Sequence, residues 1–371
     1  MIFNSVINIE SVLPDLDIEY TTDSNDLSHD HKYVRKVAST NKATSQDLTY
    51  CSSNDVKSAI SSISKAQARV ILCDNSLARI ASRRKKLQRL LGYIIFVENP
   101  RLAIMKVMKR ISLENVRDNK KRYDGNLTSE TGLCSSAIIL ESARIGKNCS
   151  IGNFTKIEDK YIIGDNTVVG DRVIMEQNTR IGKNCIIQPG TVIGADGFAY
   201  ERLEDTLELQ RFPHIGGVII GDNVEICSNC SIARGSLSDT IIGEGTKLDA
   251  LVHIAHNVEI GRHCALTAGT IIGGSTRIGD MCWTGLNSTI KHKVKIGNKV
   301  IIGSGASVIN NIDDEDIVAG VPAKSIRHKV RSNQLFLMAG HRSHTSNGLK
   351  RDSDNNNTIS IKKWKQSIRP F

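Results

Sequence analysis

An aliphatic residue returns at every sixth position along two long stretches of this chain. Neither the period of about 3.6 residues of an α-helix nor the alternation of an ordinary strand produces that spacing. A period of six is typical of a parallel β-helix, in which three hexads form one coil and residues 18 positions apart stack on one another. The positions are Ile139, Ile145, Ile151, Ile157, Ile163, Val169, Met175, Ile181, Ile187 and Ile193, and then Ile242, Leu248, Ile254, Ile260, Leu266, Ile272, Ile278, Thr284, Ile290, Ile296, Ile302 and Val308.

A second column of small or β-branched residues supports this interpretation. It lies four positions after the aliphatic column, and five of the nine cysteines belong to it. Packing therefore explains the Cys227–Cys230 pair better than a metal or redox site does. A narrow prism has no room for large rings, and from Pro213 to Leu335 the chain contains no Phe, Tyr or Trp except Trp283. We predict a mainly β protein built around a β-helix.

The first part of the chain, residues 1–130, lacks the six-residue pattern and contains two glycines. Short apolar runs and a proline at a helix start predict a small α/β domain there. The predicted strands are 68–74 and 93–97, and the predicted helices are 54–65 and 100–111.

The β-helix is predicted to cover residues 131–326, interrupted by an insertion at 195–214. Residues 327–371 form a polar, basic tail that we expect to be partly helical or disordered. No run of 18 apolar residues and no basic-then-apolar leader at Met1 is present, so we expect a soluble cytosolic protein.

The formal net charge of +10 fits an acidic partner such as a carrier protein, a nucleotide sugar or an anionic lipid surface. Contact with a membrane periphery is one interpretation of the basic tail, and a merely solvated tail is the other. A basic platform interleaved with aromatic residues is missing, so nucleic acid is not expected as a partner.

Three residues spaced 18 positions apart, His256, Gly274 and His292, are predicted to line one outer corner of the column. At about 4.8 Å per coil they lie close enough to act on one substrate. Imidazole accepts a proton near neutral pH, and a glycine N–H with no Cβ beside it can hold an oxyanion. These groups suit acyl transfer, whereas a lone surface histidine more often has no catalytic role.

Five segments in order along the chain carry a resemblance to a known family. They are FVENPRLAIMKVM at 96–108, GADGFAYER at 194–202, HIGGVIIGDNVEIC at 214–227, ARGSLSDTIIG at 233–243 and HIAHNVEIG at 253–261. They resemble the UDP-3-O-(3-hydroxyacyl)glucosamine N-acyltransferases of lipid A biosynthesis, over about residues 30–325. The N-terminal part would then be a uridine-binding domain.

The resemblance implies a left-handed β-helix, an exception to the right-handed crossover rule, and a homotrimer with active sites between subunits. His256 would deprotonate the amine of a UDP-amino sugar, which attacks the thioester of a hydroxyacyl chain on acyl carrier protein. The Gly274 amide would hold the oxyanion. The second histidine of the family aligns with Lys293, and His292 stands one place earlier. We expect no cofactor and no metal.

Further substrate contacts are predicted, two of them from the same resemblance. The uracil-stacking aromatic residue of the family matches Tyr50, and a family aspartate matches Asp249. His253 lies in the same hexad as the candidate base. Phe198 and Tyr200 in the insertion either line an acyl or sugar pocket or anchor the loop against the column.

Three alternatives stay open on the sequence. The ending IVAGVPAKSI at 317–326 resembles the cap of acetyl-CoA-dependent sugar acetyltransferases, which would make acyl-CoA the donor. A zinc lyase of the γ-carbonic anhydrase kind needs three histidines, and Gly297 stands where the third would be. A binding scaffold without activity would keep its cellular function after His256→Ala.

Overall fold

The six-residue period folds into a three-sided parallel β-helix, which confirms the predicted fold class. Each coil adds one short strand to each of three sheets, which hold eleven, nine and eight strands. The structure is a computed structural model, and the residues it describes are 2–22, 33–51, 56–78, 93–115, 132–140, 142–203 and 206–327.

The three faces of the column are built from strands that follow one another in turn along the chain. The first face consists of Gly132–Leu133, Ser150–Ile151, Val168–Val169, Ile186–Ile187, Glu225–Ile226, Lys247–Leu248, Ala265–Leu266, Trp283–Thr284, Ile301–Ile302, Ile317–Ala319 and Lys324–Ser325. The second face consists of Ile138–Ile139, Lys156–Ile157, Ile174–Met175, Val192–Ala195, Ser231–Ala233, His253–Ile254, Ile271–Ile272, Thr289–Ile290 and Ser307–Val308. The third face consists of Arg144–Ile145, Ile162–Ile163, Thr179–Ile181, Val218–Ile220, Thr240–Ile242, Glu259–Ile260, Arg277–Ile278 and Lys295–Ile296.

The aliphatic column forms the interior of the β-helix. Ile254 and Ile272 are fully buried and lie in direct register. The polar member Thr284 is also buried, with its hydroxyl 2.9 Å from that of Thr270, which donates to the Thr267 carbonyl 2.7 Å away. Because the Thr270 proton is directed at that carbonyl, Thr284 donates to Thr270, and the buried hydroxyl is satisfied.

The described residues of the first part of the chain form a six-stranded mixed sheet with three α-helices, as expected of an α/β domain. Its elements are β1 (Ile2–Asn8), α1 (Ile9–Asp15), β2 (Tyr20–Thr22), β3 (Tyr33–Val37), β4 (Asp47–Cys51), α2 (Val56–Lys65), β5 (Val70–Asp74), a 3-10 turn (Asn75–Leu77), β6 (Tyr93–Val97) and α3 (Pro100–Asn115). The strand order is β1-β3-β4-β5-β6-β2, with β3 to β6 parallel and the two edge strands antiparallel.

The two predicted strands of this sheet are present, and β6 has the predicted bounds. Helix α3 begins at Pro100 as predicted and runs four residues further, to Asn115. Residues 116–131 and 328–371 lie outside the described part of the chain, so the domain boundaries and the tail stay predictions. Within the described ranges, no helix is both long enough and apolar enough to cross a bilayer.

The insertion packs against the first part of the chain. Its strands Tyr200–Arg202 and Leu209–Arg211 form an antiparallel hairpin. Phe212 and Ile215, which follow the hairpin, belong to the same buried cluster as the apolar residues of α3. The Arg101 guanidinium lies 5.4 Å from the centre of the Phe212 ring. The insertion is therefore fixed between the sheet domain and the column.

Successive coils approach so closely at their corners that a side chain does not always fit. A Cβ built on Gly164 would lie 2.6 Å from the carbonyl carbon of Gly182 in the next coil, which is backbone and cannot turn aside. At Gly132, by contrast, the nearest atom to a new Cβ would be the Ser150 hydroxyl at 3.8 Å. A comparison of alanine substitutions at Gly164 and Gly132 therefore separates the cost of the steric clash from the general effect of replacing a glycine on stability.

We predict that Gly164→Ala lowers the free energy of unfolding by about 1–3 kcal/mol, because the coil above must shift to admit the methyl group. Gly132→Ala should change it by less than about 0.5 kcal/mol. Urea unfolding followed by circular dichroism measures both values. Equal midpoints for the two variants would contradict the close stacking of coils.

Candidate active site

A cleft of about 500 Å³ opens at the corner where the second face turns towards the third. The insertion forms one wall and successive coils of the column form the other. Among the lining residues are Gly197, Phe198, His253, His256, Gly274 and His292.

His256, Gly274 and His292 all line this cleft, and these three stacked residues are called the file. Each comes two residues after a strand of the second face, and the three strands pair in parallel register. The stacking of coils therefore brings together three residues that are 36 positions apart from first to last. This is the placement that the hexad spacing predicts.

Asn257 sets the orientation of the His256 ring, whose Nδ1 lies 3.0 Å from the Asn257 Oδ1. The Asn257 Nδ2 donates to the Ser238 carbonyl at 2.9 Å, and its Oδ1 accepts from the N–H and the hydroxyl of Ser236 at 3.1 and 2.8 Å. Because Oδ1 can only accept, we infer that Nδ1 of His256 carries the ring proton. Nε2 then keeps its lone pair and is the basic atom of the ring.

Gly274 lies against that basic atom. A Cβ at Gly274 would be 2.8 Å from the His256 Nε2, so a side chain there would displace the imidazole. In the described part of the chain, the Gly274 N–H has no hydrogen-bond partner. A backbone N–H that is free beside a base can stabilise a developing oxyanion.

Six turns on the other two corners have an acceptor that Gly274 lacks. At those turns a carboxylate or carboxamide oxygen of the next coil accepts from the equivalent N–H, whereas His292 occupies that place above Gly274. The occupied pairs are Lys147 with Asp165, Asn153 with Asp171, Lys183 with Asp222, Arg262 with Asp280, Asp280 with Asn298, and Asn298 with Asp314. With a histidine in place of such an acceptor, the Gly274 N–H stays available as a donor.

A neutral histidine and a lysine cation lie beside the file. His253 is half-buried on the outer side of its strand, and burial lowers the pKa of its ring, which favours the neutral form. His292 and Lys293 are exposed at the rim, where the Lys293 N–H donates to the Gly274 carbonyl at 2.9 Å. The Lys293 ammonium thus provides a cation next to the cleft, suited to an anionic substrate.

The two aromatic residues of the insertion have different surroundings. Phe198 is 87% exposed and lines the cleft. Its ring centre lies 5.0 Å from that of Tyr200, whose hydroxyl accepts from Arg211 at 3.2 Å. Phe198 therefore fits the pocket hypothesis, whereas Tyr200 contacts Phe198 and Arg211 within the insertion itself.

The structure does not bring Tyr50 and Asp249 into the cleft of their own chain. The Asp249 carboxylate accepts from the N–H groups of Ala250 and Ala268, at 2.7 and 3.1 Å, on the corner between the first and second faces. Tyr50 lies in β4, where burial raises the pKa of its hydroxyl and the charge of Arg101 opposes that shift.

His214 is a neighbour of the cleft that the sequence analysis missed. It is 7% exposed, and its ring meets that of His256 edge-on, with centres 5.7 Å apart. Burial lowers the pKa of His214; the Asp196 carboxylate opposes this, and the charges of His256 and Arg234 add to it. The one sequence signal that could have pointed to His214 was its position directly after Pro213, where the chain rejoins the column.

The zinc-lyase alternative would need a cluster of metal ligands. Over the ranges that the structure describes, no three His, Cys, Asp or Glu side chains are grouped to hold a metal ion. A catalytic zinc site needs three protein ligands.

We predict that acidification destabilises the protein partly through His214. Because its folded pKa lies below the ordinary value of 6.5, the unfolded chain binds a proton that the folded chain does not once the pH falls below that value. This contribution to stability is complete above about pH 6.5 and declines as the pH falls to the folded pKa.

Urea unfolding between about pH 7.5 and about pH 5 measures this decline. His214→Gln should flatten it, and the exposed control His263→Asn should leave it as in the native chain. The same pH slope in His214→Gln as in the native protein would contradict the assignment.

Three stretches of the chain, residues 160–195, 239–274 and 275–310, match the family described as bacterial transferase hexapeptide (six repeats). The UDP-3-O-acylglucosamine N-acyltransferase of Bordetella parapertussis is 42% identical over 132 residues, which are 35% of this chain and 36% of that protein. An enzyme of the same name from Methylorubrum extorquens is 38% identical over 151 residues, or 41% and 42% of the two chains. This chain thus matches well under half the length of these relatives.

A solved structure is similar over a larger share. The UDP-N-acetylglucosamine acyltransferase of Francisella novicida matches with a TM-score of 0.50 and 25% identity, over 57% of this chain and 74% of that chain. Two of the three hexapeptide matches contain the residues of the file, His256 and Gly274 in one and His292 in the next. The column of this chain is therefore a left-handed β-helix of hexapeptide repeats as found in bacterial transferases, and the chain resembles the UDP-3-O-acylglucosamine N-acyltransferases.

Proposed function

We propose that this chain is an N-acyltransferase that moves an acyl group from a thioester carrier to the amine of a UDP-amino sugar. The observation that carries the proposal is the pairing of His256 with Gly274. A proton-accepting Nε2, with its tautomer set by Asn257, lies beside a free backbone N–H in one cleft.

In the proposed reaction, the amine nitrogen of the sugar attacks the carbonyl carbon of the thioester. Nε2 of His256 takes the proton that the nitrogen loses as the N–C bond forms. The Gly274 N–H stabilises the negative charge that develops on the carbonyl oxygen. When the C–S bond breaks, the leaving sulfur takes the proton back from the imidazolium, and the products are an amide and a free thiol.

The rim of the cleft fits the proposed acceptor. The Lys293 ammonium and the exposed His292 ring would face the diphosphate of a nucleotide sugar, and His253 would contact the sugar from the wall. Phe198 gives an apolar surface for an acyl chain at the mouth of the cleft.

We further propose a homotrimer in which each cleft lies against a neighbouring chain. Tyr50 and Asp249 lie outside the cleft of their own chain, so they would contribute to a site only from an adjacent subunit. In that arrangement Tyr50 would stack on the uracil of the substrate. This part of the proposal is supported by the resemblance of the sequence segments.

We expect His256→Ala to lower the rate of amide formation by about 10²–10⁴-fold, the usual contribution of a general base. The matched control His263→Asn, an exposed histidine at φ 53 that asparagine tolerates, should keep the native rate. Both variants should give native circular dichroism. A native rate in His256→Ala would remove the proposed mechanism.

Gly274→Ala should also abolish most of the activity, because its methyl group would lie 2.8 Å from the His256 Nε2 and push the ring away. We expect a loss of about 10²-fold or more in kcat with the fold preserved. Steady-state kinetics with the full-length variant measures it. If Gly274→Ala were as active as the native chain, the reaction would not depend on the space between Gly274 and the His256 Nε2.

The donor is identified by a direct assay. Purified protein is incubated with a UDP-amino sugar and either an acyl carrier protein thioester or a CoA thioester, and the products are analysed by mass spectrometry. We expect an N-acylated UDP-sugar with the carrier-protein donor. Product from acetyl-CoA alone would favour the acetyltransferase alternative, and no product from either donor would favour a binding scaffold.

A further inference from the structure

The back of the His256 ring is covered by a second imidazole. His214 is more than nine-tenths buried and is not among the residues that line the cleft. Its ring meets the His256 ring at an interplanar angle of 71°, with centres 5.7 Å apart. Neither nitrogen of His214 makes a hydrogen bond of good geometry in the described structure, although the Phe212 backbone lies near enough to oppose the lowering of the His214 pKa by burial.

Gly197 makes this contact sterically feasible. A Cβ on Gly197 would lie 2.8 Å from the His256 Cβ, 2.9 Å from its Cδ2 and 3.0 Å from the His214 Nε2. The backbone of the insertion thus lies directly against both rings. Asn257 contacts Nδ1 of the His256 ring, Gly274 lies against Nε2, and His214 packs edge-on against the ring. Three different parts of the chain therefore restrict the orientation of this ring.

The backbone on both sides of His214 is fixed by packing. Phe212 and Ile215, on either side of it in sequence, are 3% and 8% exposed and belong to the buried cluster of the sheet domain. At the root of the insertion, the buried Arg234 donates from Nε to the Gly194 carbonyl at 2.6 Å. A side chain held in this way can restrict its neighbour without touching a substrate.

We propose that His214 is a positioning residue, which packs edge-on against His256 and keeps Nδ1 of that ring on Asn257 and Nε2 in the cleft. The inference rests on the proposed role of His256 as the base. The neutral form of His214 is the one that serves, because a charged ring would repel the imidazolium that His256 becomes during transfer. Besides His256, the charged groups that face His214 are Asp196, which favours its protonation, and Arg234, which opposes it.

Two variants of the full-length protein test the role. His214→Ala removes the ring and should lower kcat by about 10–100-fold with KM nearly unchanged, because a base that swings away from the attack geometry is lost from the chemical step. His214→Phe keeps an uncharged ring of similar shape and should recover most of kcat. If His214→Phe has native circular dichroism and is as impaired as His214→Ala, an uncharged ring at this place does not hold His256 and the positioning role is wrong.

Nuclear magnetic resonance tests the geometry without a substrate. Long-range proton–nitrogen spectra of histidine-labelled protein distinguish the two tautomers of His256, with His256→Ala assigning its signals. We expect the Nδ1–H tautomer in the native chain and in His214→Phe, and a mixture of tautomers in His214→Ala. Native-like spectra and native kcat in His214→Ala would overturn the proposal.

The base role of His256 and the positioning role of His214 can fail separately. A native transfer rate in His256→Ala would remove the proposed base but leave the tautomer measurement valid as a test of the contact between the rings. A large loss in His256→Ala, together with unchanged spectra and kcat in His214→Ala, would remove only the positioning role.

Discussion

The backbone hydrogen bonds between successive coils are the interaction on which the rest of the structure depends. Each coil donates N–H groups to the carbonyls of the next, as in Gly273 to Ile290 and Ala255 to Ile272, at 2.8 and 3.0 Å. Because this parallel register repeats every 18 residues through most of the column, with 22 residues between Ser231 and its partner His253, it decides which side chains stack inside and which line a corner. A shift of one residue would exchange the interior and exterior sets.

The candidate site lies at turns that lack a hydrogen bond present at six turns on the other two corners. At those six turns an aspartate or asparagine of one coil accepts from the turn N–H of the coil before. At Gly274 the acceptor is replaced by His292, and at the coil before it the turn carries His256. The same positions that elsewhere hold the column together are here left with a free donor and a basic ring.

The sequence was sufficient to predict the column and the file of three residues, because both follow from a strict period. The period also placed Thr284 in the interior column, whereas its hydrogen bond with Thr270 is visible only in the structure. The strands β1 to β4 were not predicted, since short strands in a mixed sheet carry no such repeat. His214 was missed for the same reason: it lies in an insertion whose path is set by packing on the sheet domain, through Phe212 and Ile215. The positions of Tyr50 and Asp249 relative to a cleft depend on neighbouring chains, which no spacing within one sequence determines.

The most direct measurement is a crystal structure of the protein with an unreactive UDP-amino sugar bound. We expect the amine nitrogen at a distance of about 2.6–3.2 Å from the His256 Nε2, with the Gly274 N–H facing the space where the acyl carbonyl would enter. An amine bound at another corner of the column, or with its nitrogen turned away from His256, would contradict the proposed site.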